Sequence, residues 1–195
     1  MQVTRHRTTT LGLVAFLAAC SAEMGESDEF LGEDQLASSV HLKGGKNAEP
    51  SFIDNGLTLT GTADLAGLGE GDILITINAT ANPTAVCTNP SGANQPPGQN
   101  PAPVNVTGSA SFPQSQIKNG SLSFSVTTQP PASPVPGAPD CPSSNWTETI
   151  TDMRFTSATI TVQQAGTTVL TVFCSFSPQT SNGLVPSGNV TCTSL

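Results

Sequence analysis

From about Pro50 onward, apolar and polar residues alternate with a period of two. Leu57, Leu59, Ala63 and Leu65 share one parity. Ile73, Ile75, Ile77 and Ala79 share another, with Thr76, Asn78 and Thr80 between or beside them. Leu122, Phe124 and Val126 alternate with Ser121, Ser123 and Ser125, and Ala158, Ile160 and Val162 alternate with Thr159 and Thr161. The stretch from Val169 to Phe176 is a more continuous apolar run. Side chains of a strand point to opposite faces in turn, so this alternation, enriched in β-branched residues, predicts half-buried strands. Gly67, Gly69 and Gly71 break the first pair, Asn119-Gly120 predicts a tight hairpin turn, and Ala165-Gly166 predicts another. No stretch after residue 50 carries a helical period.

Two polar loops interrupt the strands. Asn89–Ala102 is almost entirely Asn, Gln, Pro, Gly and Ser, and Gln129–Ser144 holds six prolines. Neither can be a central strand, because proline has no amide hydrogen to give to the ladder. Eight or nine short strands over residues 50–195 therefore predict a single all-β domain. The expected fold is an antiparallel, immunoglobulin-like β-sandwich.

The N-terminus reads differently. Arg5 and Arg7 form a basic flank, and a nine-residue apolar run, Leu11–Ala19, ends at Cys20. As a helix that run reaches about 14 Å, too short for roughly 30 Å of hydrocarbon. A basic flank, a short apolar stretch and small residues at its end mark a secretory signal over residues 1–19. The last four residues, Leu17-Ala18-Ala19-Cys20, resemble the lipobox of bacterial lipoproteins. The resemblance implies cleavage before Cys20, a diacylglyceryl group on its thiol and a fatty acyl group, such as palmitate, on its new amino terminus. Two or three chains hold a protein stably to a membrane where one holds only marginally. Ser21, in place of an aspartate, implies transfer to the outer membrane in a cell with two membranes. Residues 20–49 then read as the lipidated cysteine and a flexible acidic tether, with Glu23, Glu26, Asp28, Glu29, Glu33 and Asp34. A short amphipathic helix around residues 30–40 is the alternative. Lys43-Gly44-Gly45-Lys46 lacks the spacing of a phosphate loop and reads as a turn.

Charge narrows the partners. After Cys20 only Lys43, Lys46, Lys118 and Arg154 are basic, against fourteen acids, a net charge of −10. That excludes a nucleic-acid footprint. Cys87, Cys141, Cys174 and Cys192 form an even set in an exported chain, which predicts two disulfides; their spacings of 54, 33 and 18 residues do not suit a zinc site. A Cys87–Cys141 bridge would pin both polar loops at one end of the sandwich and leave Cys174 to pair with Cys192. Other pairings remain open.

The segments Cys87-Thr-Asn-Pro-Ser-Gly-Ala-Asn, Lys118-Asn-Gly, Asp140-Cys-Pro and Asn145-Trp-Thr-Glu-Thr-Ile-Thr-Asp resemble a group of small exported, disulfide-bonded β proteins. The likeness spans roughly residues 41–194. It implies the fold and the first disulfide, and it implies no activity.

Chemistry is sparse in the folded part. His41 is the one histidine left after the signal, and tyrosine is absent. Histidine-dependent nucleophile systems and histidine-rich metal sites are not expected, and neither an enzymatic activity nor a cofactor is. Asp54, Asp64, Glu70, Asp72, Asp140, Glu148 and Asp152 read as turn or surface carboxylates. Asp64, Glu70 and Asp72 bracket the glycine-rich turn and are weak candidates for calcium, in no known calcium-loop spacing. Trp146 reads as a core residue near a disulfide, with a carbohydrate-stacking platform as the alternative. The sequence therefore describes a lipid-anchored, extracytoplasmic, non-catalytic binding or structural module. Its partner is a protein or glycan, and the alternative is a calcium- or carbohydrate-binding module.

Overall fold

A computed structural model describes residues 40–45, 47–98 and 101–195. The signal segment, Cys20 and the acidic stretch up to residue 39 lie outside the described residues. Among the described residues there are eleven strands. They are β1 (His41–Leu42), β2 (Ser51–Asp54), β3 (Leu59–Ala66), β4 (Ile73–Thr88), β5 (Asn94–Gln95), β6 (Val104–Phe112), β7 (Leu122–Thr127), β8 (Thr147–Gln164), β9 (Thr167–Phe176), β10 (Gly183–Leu184) and β11 (Val190–Ser194). Three of them are two residues long, so eight are substantial.

They form two antiparallel sheets. In the five-stranded sheet β3 has β7 along one edge, while β1 and β2 lie end to end along the other and β10 adds outside β2. In the six-stranded sheet the order is β11, β9, β8, β4, and then β6 and β5 end to end along the free edge of β4. This is the antiparallel sandwich that the alternation predicts. Ile73, Ile75 and Ile77 of β4 and Ile160 and Val162 of β8 face Phe52, Leu59 and Leu65, and all are at most 1% exposed. Full burial of each such side chain stabilises by about 1.5–3 kcal/mol. Phe52 and Phe176 join the sheets edge to face, with ring centroids 5.0 Å apart.

The folded part begins earlier than Pro50. His41 and Leu42 pair with Ala66 and Leu65, and Val40 and Leu42 are buried. The tether read over residues 20–49 is therefore corrected at its end: by residue 40 the chain is already part of the sandwich. Two inward residues are too few to show as periodicity.

Both hairpin turns form as expected. Asn119 and Gly120 carry φ of 51° and 70°, closed by Lys118 and Ser121, and Ala165 and Gly166 carry 49° and 85° between β8 and β9. Paired positive φ values are those of a two-residue hairpin turn whose twist matches its strands.

The ladder between β4 and β8 runs along all sixteen residues of β4 and breaks register twice. Each break inserts one residue into β8, first Thr156 and then Thr151. One inserted residue turns every following side chain to the other face. The inward set of β8 is therefore Ala158, Ile160 and Val162, then Met153 and Phe155, then Glu148 and Ile150. Both inserted residues are threonines whose hydroxyls donate to the facing strand at 3.2 Å, Thr156 to the Thr80 carbonyl and Thr151 to the Thr84 carbonyl. The sheets also approach closely at Gly108 of β6. A Cβ there would lie 2.0 Å from the Thr127 carbonyl oxygen, so only glycine fits.

The outer face of the six-stranded sheet is ranked. Ser109, Thr76, Thr161 and Thr171 stand side by side across four strands. The next rank is Thr107, Asn78, Thr159, Phe173 and Thr193, and the next Asn105, Thr80, Ser157, Ser175 and Thr191. No charged residue stands in these ranks.

Candidate functional site

The loop end of the domain is built from the disulfide outward. Cys87 is fully buried near the end of β4 and bonds Cys141, at a Cα–Cα distance of 5.7 Å; Cys174 and Cys192 are directly opposite on β9 and β11 and form the second bridge. This is the pairing favoured from the sequence. The first bridge gathers both polar loops, as the Gly98 amide donating to the Asp140 carbonyl at 3.1 Å also does. The first loop is internally held. The Asn89 carboxamide oxygen accepts from the Ser91 and Ala93 amides at 2.9 and 2.8 Å, and Asn94–Gln95 turns back to pair with β4 as an edge strand. In the second loop the Val135 amide donates to the Glu148 carbonyl at 2.8 Å. Trp146 is half-buried and outside the hydrophobic core, so the core placement expected for it is not what the structure has. It sits in a turn closed by its own amide on the Ser143 carbonyl.

The three weak calcium candidates do not meet. Asp64 and Asp72 are exposed and serve different elements, and Glu70 is exposed in the bend between them. Asp64 accepts a short hydrogen bond from the Ser123 hydroxyl of β7, and Asp72 accepts from the Gln114 amide at 2.9 Å. Among the described residues no group of three or more His, Cys, Asp or Glu is placed to hold a metal.

Asp64 does border a cleft. A cavity of about 750 Å³ on the outer side of the five-stranded sheet is lined by Lys43, Asp64, Lys118, Asn119, Ser121 and Ser123. A second cavity of about 360 Å³ adjoins it through Lys43, Asp64 and Ser123. The Lys118 ammonium is held by the Ser115 carbonyl at 2.8 Å. Hydroxyls, one carboxylate and two ammonium groups suit hydrogen bonding to a polar molecule. Of the serines there, Ser123 is engaged by the Asp64 carboxylate, and His41, exposed on β1, is not among the residues that line either cavity.

Two buried acids escape a reading of the sequence. Asp54 is 2% exposed; its carboxylate accepts from the Gly56 amide at 2.9 Å and from the Thr180 hydroxyl. Burial raises its pKa, the two hydrogen bonds oppose the rise, and the nearby Asp152 adds to it. Glu148 is 1% exposed, opposite Cys87, and accepts from the Asp140 amide at 3.3 Å; burial raises its pKa too, and the Asp140 carboxyl adds to the rise. The reading of both as turn or surface carboxylates is corrected: Asp54 does close a turn onto the Gly56 amide, but a turn residue carries no sign of burial.

No protein-family model matches the chain, and no curated protein matches it.

Proposed function

We propose that the chain is the precursor of a bacterial lipoprotein, held at the cell envelope by lipid on Cys20, and on the outer membrane in a cell with two membranes. Its sandwich is a non-catalytic module that binds a partner outside the cytoplasm. The observation that carries this reading is Leu17-Ala18-Ala19-Cys20 directly after the nine-residue apolar run. Two disulfides in one small domain agree with an oxidising compartment.

The ends of the sandwich support a display role. His41 pairs beside Ala66, and β3 passes through Gly67–Gly71 directly into Ile73, where β4 starts. Cys87 and the pinned loops are at the other end of β4. Sixteen residues of strand span up to about 54 Å at 3.4 Å each, and the bulges shorten this. The loops are therefore at the end of β4 opposite to the one where residue 40 enters the sandwich. The ionisable residues of the described part mostly serve structural hydrogen bonds, which favours binding over catalysis.

Replacing Cys20 with serine tests the anchor. The variant is expected to leave the membrane fraction or to accumulate as uncleaved precursor, and the wild type to carry acyl chains, palmitate among them, by mass spectrometry. An unlipidated wild-type protein overturns the proposal.

A further inference from the structure

We infer that the ranked outer face of the six-stranded sheet binds a neutral polysaccharide, with Phe173 as its stacking residue; this rests on reading the domain as a binding module and names the ligand class. In a mature chain of net charge −10, these three ranks across β6, β4, β8, β9 and β11 hold no charge. They are almost wholly threonine, serine and asparagine. Neighbouring strands lie about 4.8 Å apart and alternate residues about 6.8 Å apart, so the hydroxyls and amides form a two-dimensional lattice.

The side chains are partly preset. The Thr80 hydroxyl donates to the Asn105 carboxamide oxygen at 2.7 Å, and the Thr107 hydroxyl donates to that of Asn78 at 2.5 Å. Each bond fixes an asparagine with its oxygen toward the threonine and its amide hydrogens as the donor side. Phe173, in the middle rank between Thr159 and Thr193, is 44% exposed although Val172 and Cys174 beside it are fully buried. A sugar ring offers the matching surface, with hydroxyls that donate and accept around a face of C–H bonds that packs on an aromatic ring.

Charge and composition separate this partner from others. An anionic or cationic polymer requires opposite charges, which the ranks lack. A protein interface of standard size is built around an apolar and aromatic centre, whereas here Phe173 is the one apolar residue within the three ranks, with Leu74 at their edge. A repeating neutral polymer gains from many weak contacts repeated in register, which suits this face.

The test is co-sedimentation of the detergent-solubilised mature protein with insoluble cellulose, chitin and β-1,3-glucan. Binding to at least one is expected, and Phe173→Ala should weaken it roughly five- to tenfold, the scale of one aromatic contact. Thr159→Glu, a charge placed in the same rank, should abolish it, while Thr62→Glu on the other sheet leaves it unchanged. All variants are compared at matched melting temperature. Sedimentation with none of the three polymers, or equal binding by wild type and both face variants, overturns the inference. Those outcomes leave the lipoprotein reading intact, because acylation of Cys20 is measured separately.

Discussion

The Thr180 hydroxyl donates to the Asp54 carboxylate and accepts from the Phe155 amide at 2.8 Å, while the Thr180 amide donates to the Phe155 carbonyl at 2.9 Å. One threonine between β9 and β10 thus ties β2 of one sheet to β8 of the other. All three residues are at least 96% buried, so each polar atom depends on the others. Thr180→Val keeps the shape and removes the hydroxyl, leaving a buried carboxylate and a buried amide short of a partner. It is expected to cost about 2–4 kcal/mol in urea denaturation. A loss below about 1 kcal/mol would show that the staple is dispensable.

Acidity acts on the same place. Asp54 has a folded pKa above its ordinary 3.8, and Glu148 one above its ordinary 4.5. The folded state therefore binds protons more readily than the unfolded chain at these two groups. Their contribution to stability is full below the ordinary values and is lost as pH rises through the folded ones. Lowering the pH from 7 toward 4 should raise the melting temperature of the wild type relative to Asp54→Asn, which has no proton to gain. A difference between the two proteins that stays constant over that range would contradict the assignment.

Gly108 offers a steric test. Its absent side chain is what allows β6 to meet Thr127 and Thr128, with a Cβ position 2.0 Å from one carbonyl oxygen and 2.7 Å from the next Cα. Backbone is on both sides, so neither partner can turn away. Gly108→Ala is expected to destabilise by about 3 kcal/mol or more, whereas Gly188→Ala, in open space, stays within about 0.5 kcal/mol. Equal melting temperatures for the two variants would show that the corner opens freely.

The disulfides should rank by the loop each one closes. With sequence separations of 54 and 18, the Cys87–Cys141 and Cys174–Cys192 bridges contribute about 4 and 3 kcal/mol by loop closure. Replacing both members of either pair with alanine should lower the denaturation midpoint, more for the first pair. Thiol titration of the denatured, unreduced wild type should find no free thiol among these four cysteines; two or more would contradict the frame.

Much of the sandwich is legible in local chemistry. The Asn119-Gly120 and Ala165-Gly166 turns follow from residues that accept positive φ, and the inward isoleucines of β4 follow from period two. β8 hides its length because Thr156 and Thr151 each reset the parity, so no single period describes it. β4 hides its length behind Pro83, which a sequence reading takes to end a central strand. Pro83 falls where β6 has ended at Ala81 and β5 has not begun at Cys87, so β4 has a ladder on one side only. The cleft and the uncharged face are harder to read. Lys43, Asp64 and Lys118 come from three separate segments, and the ranks depend on the register of five strands.

The long pairing of β4 with β8 has a mechanical meaning. The loop that follows β4 and the turn that follows β8 lie at opposite ends of that ladder, so tension between them acts along the two strands. Antiparallel strands pulled lengthwise must slip past one another all together, whereas strands pulled sideways peel apart one bond after another. Pulling single molecules between residues 92 and 165, at opposite ends of the ladder, should therefore need more force than pulling between residues 72 and 165, at the same end. Loaded in that way, the paired strands would behave as a rod under shear.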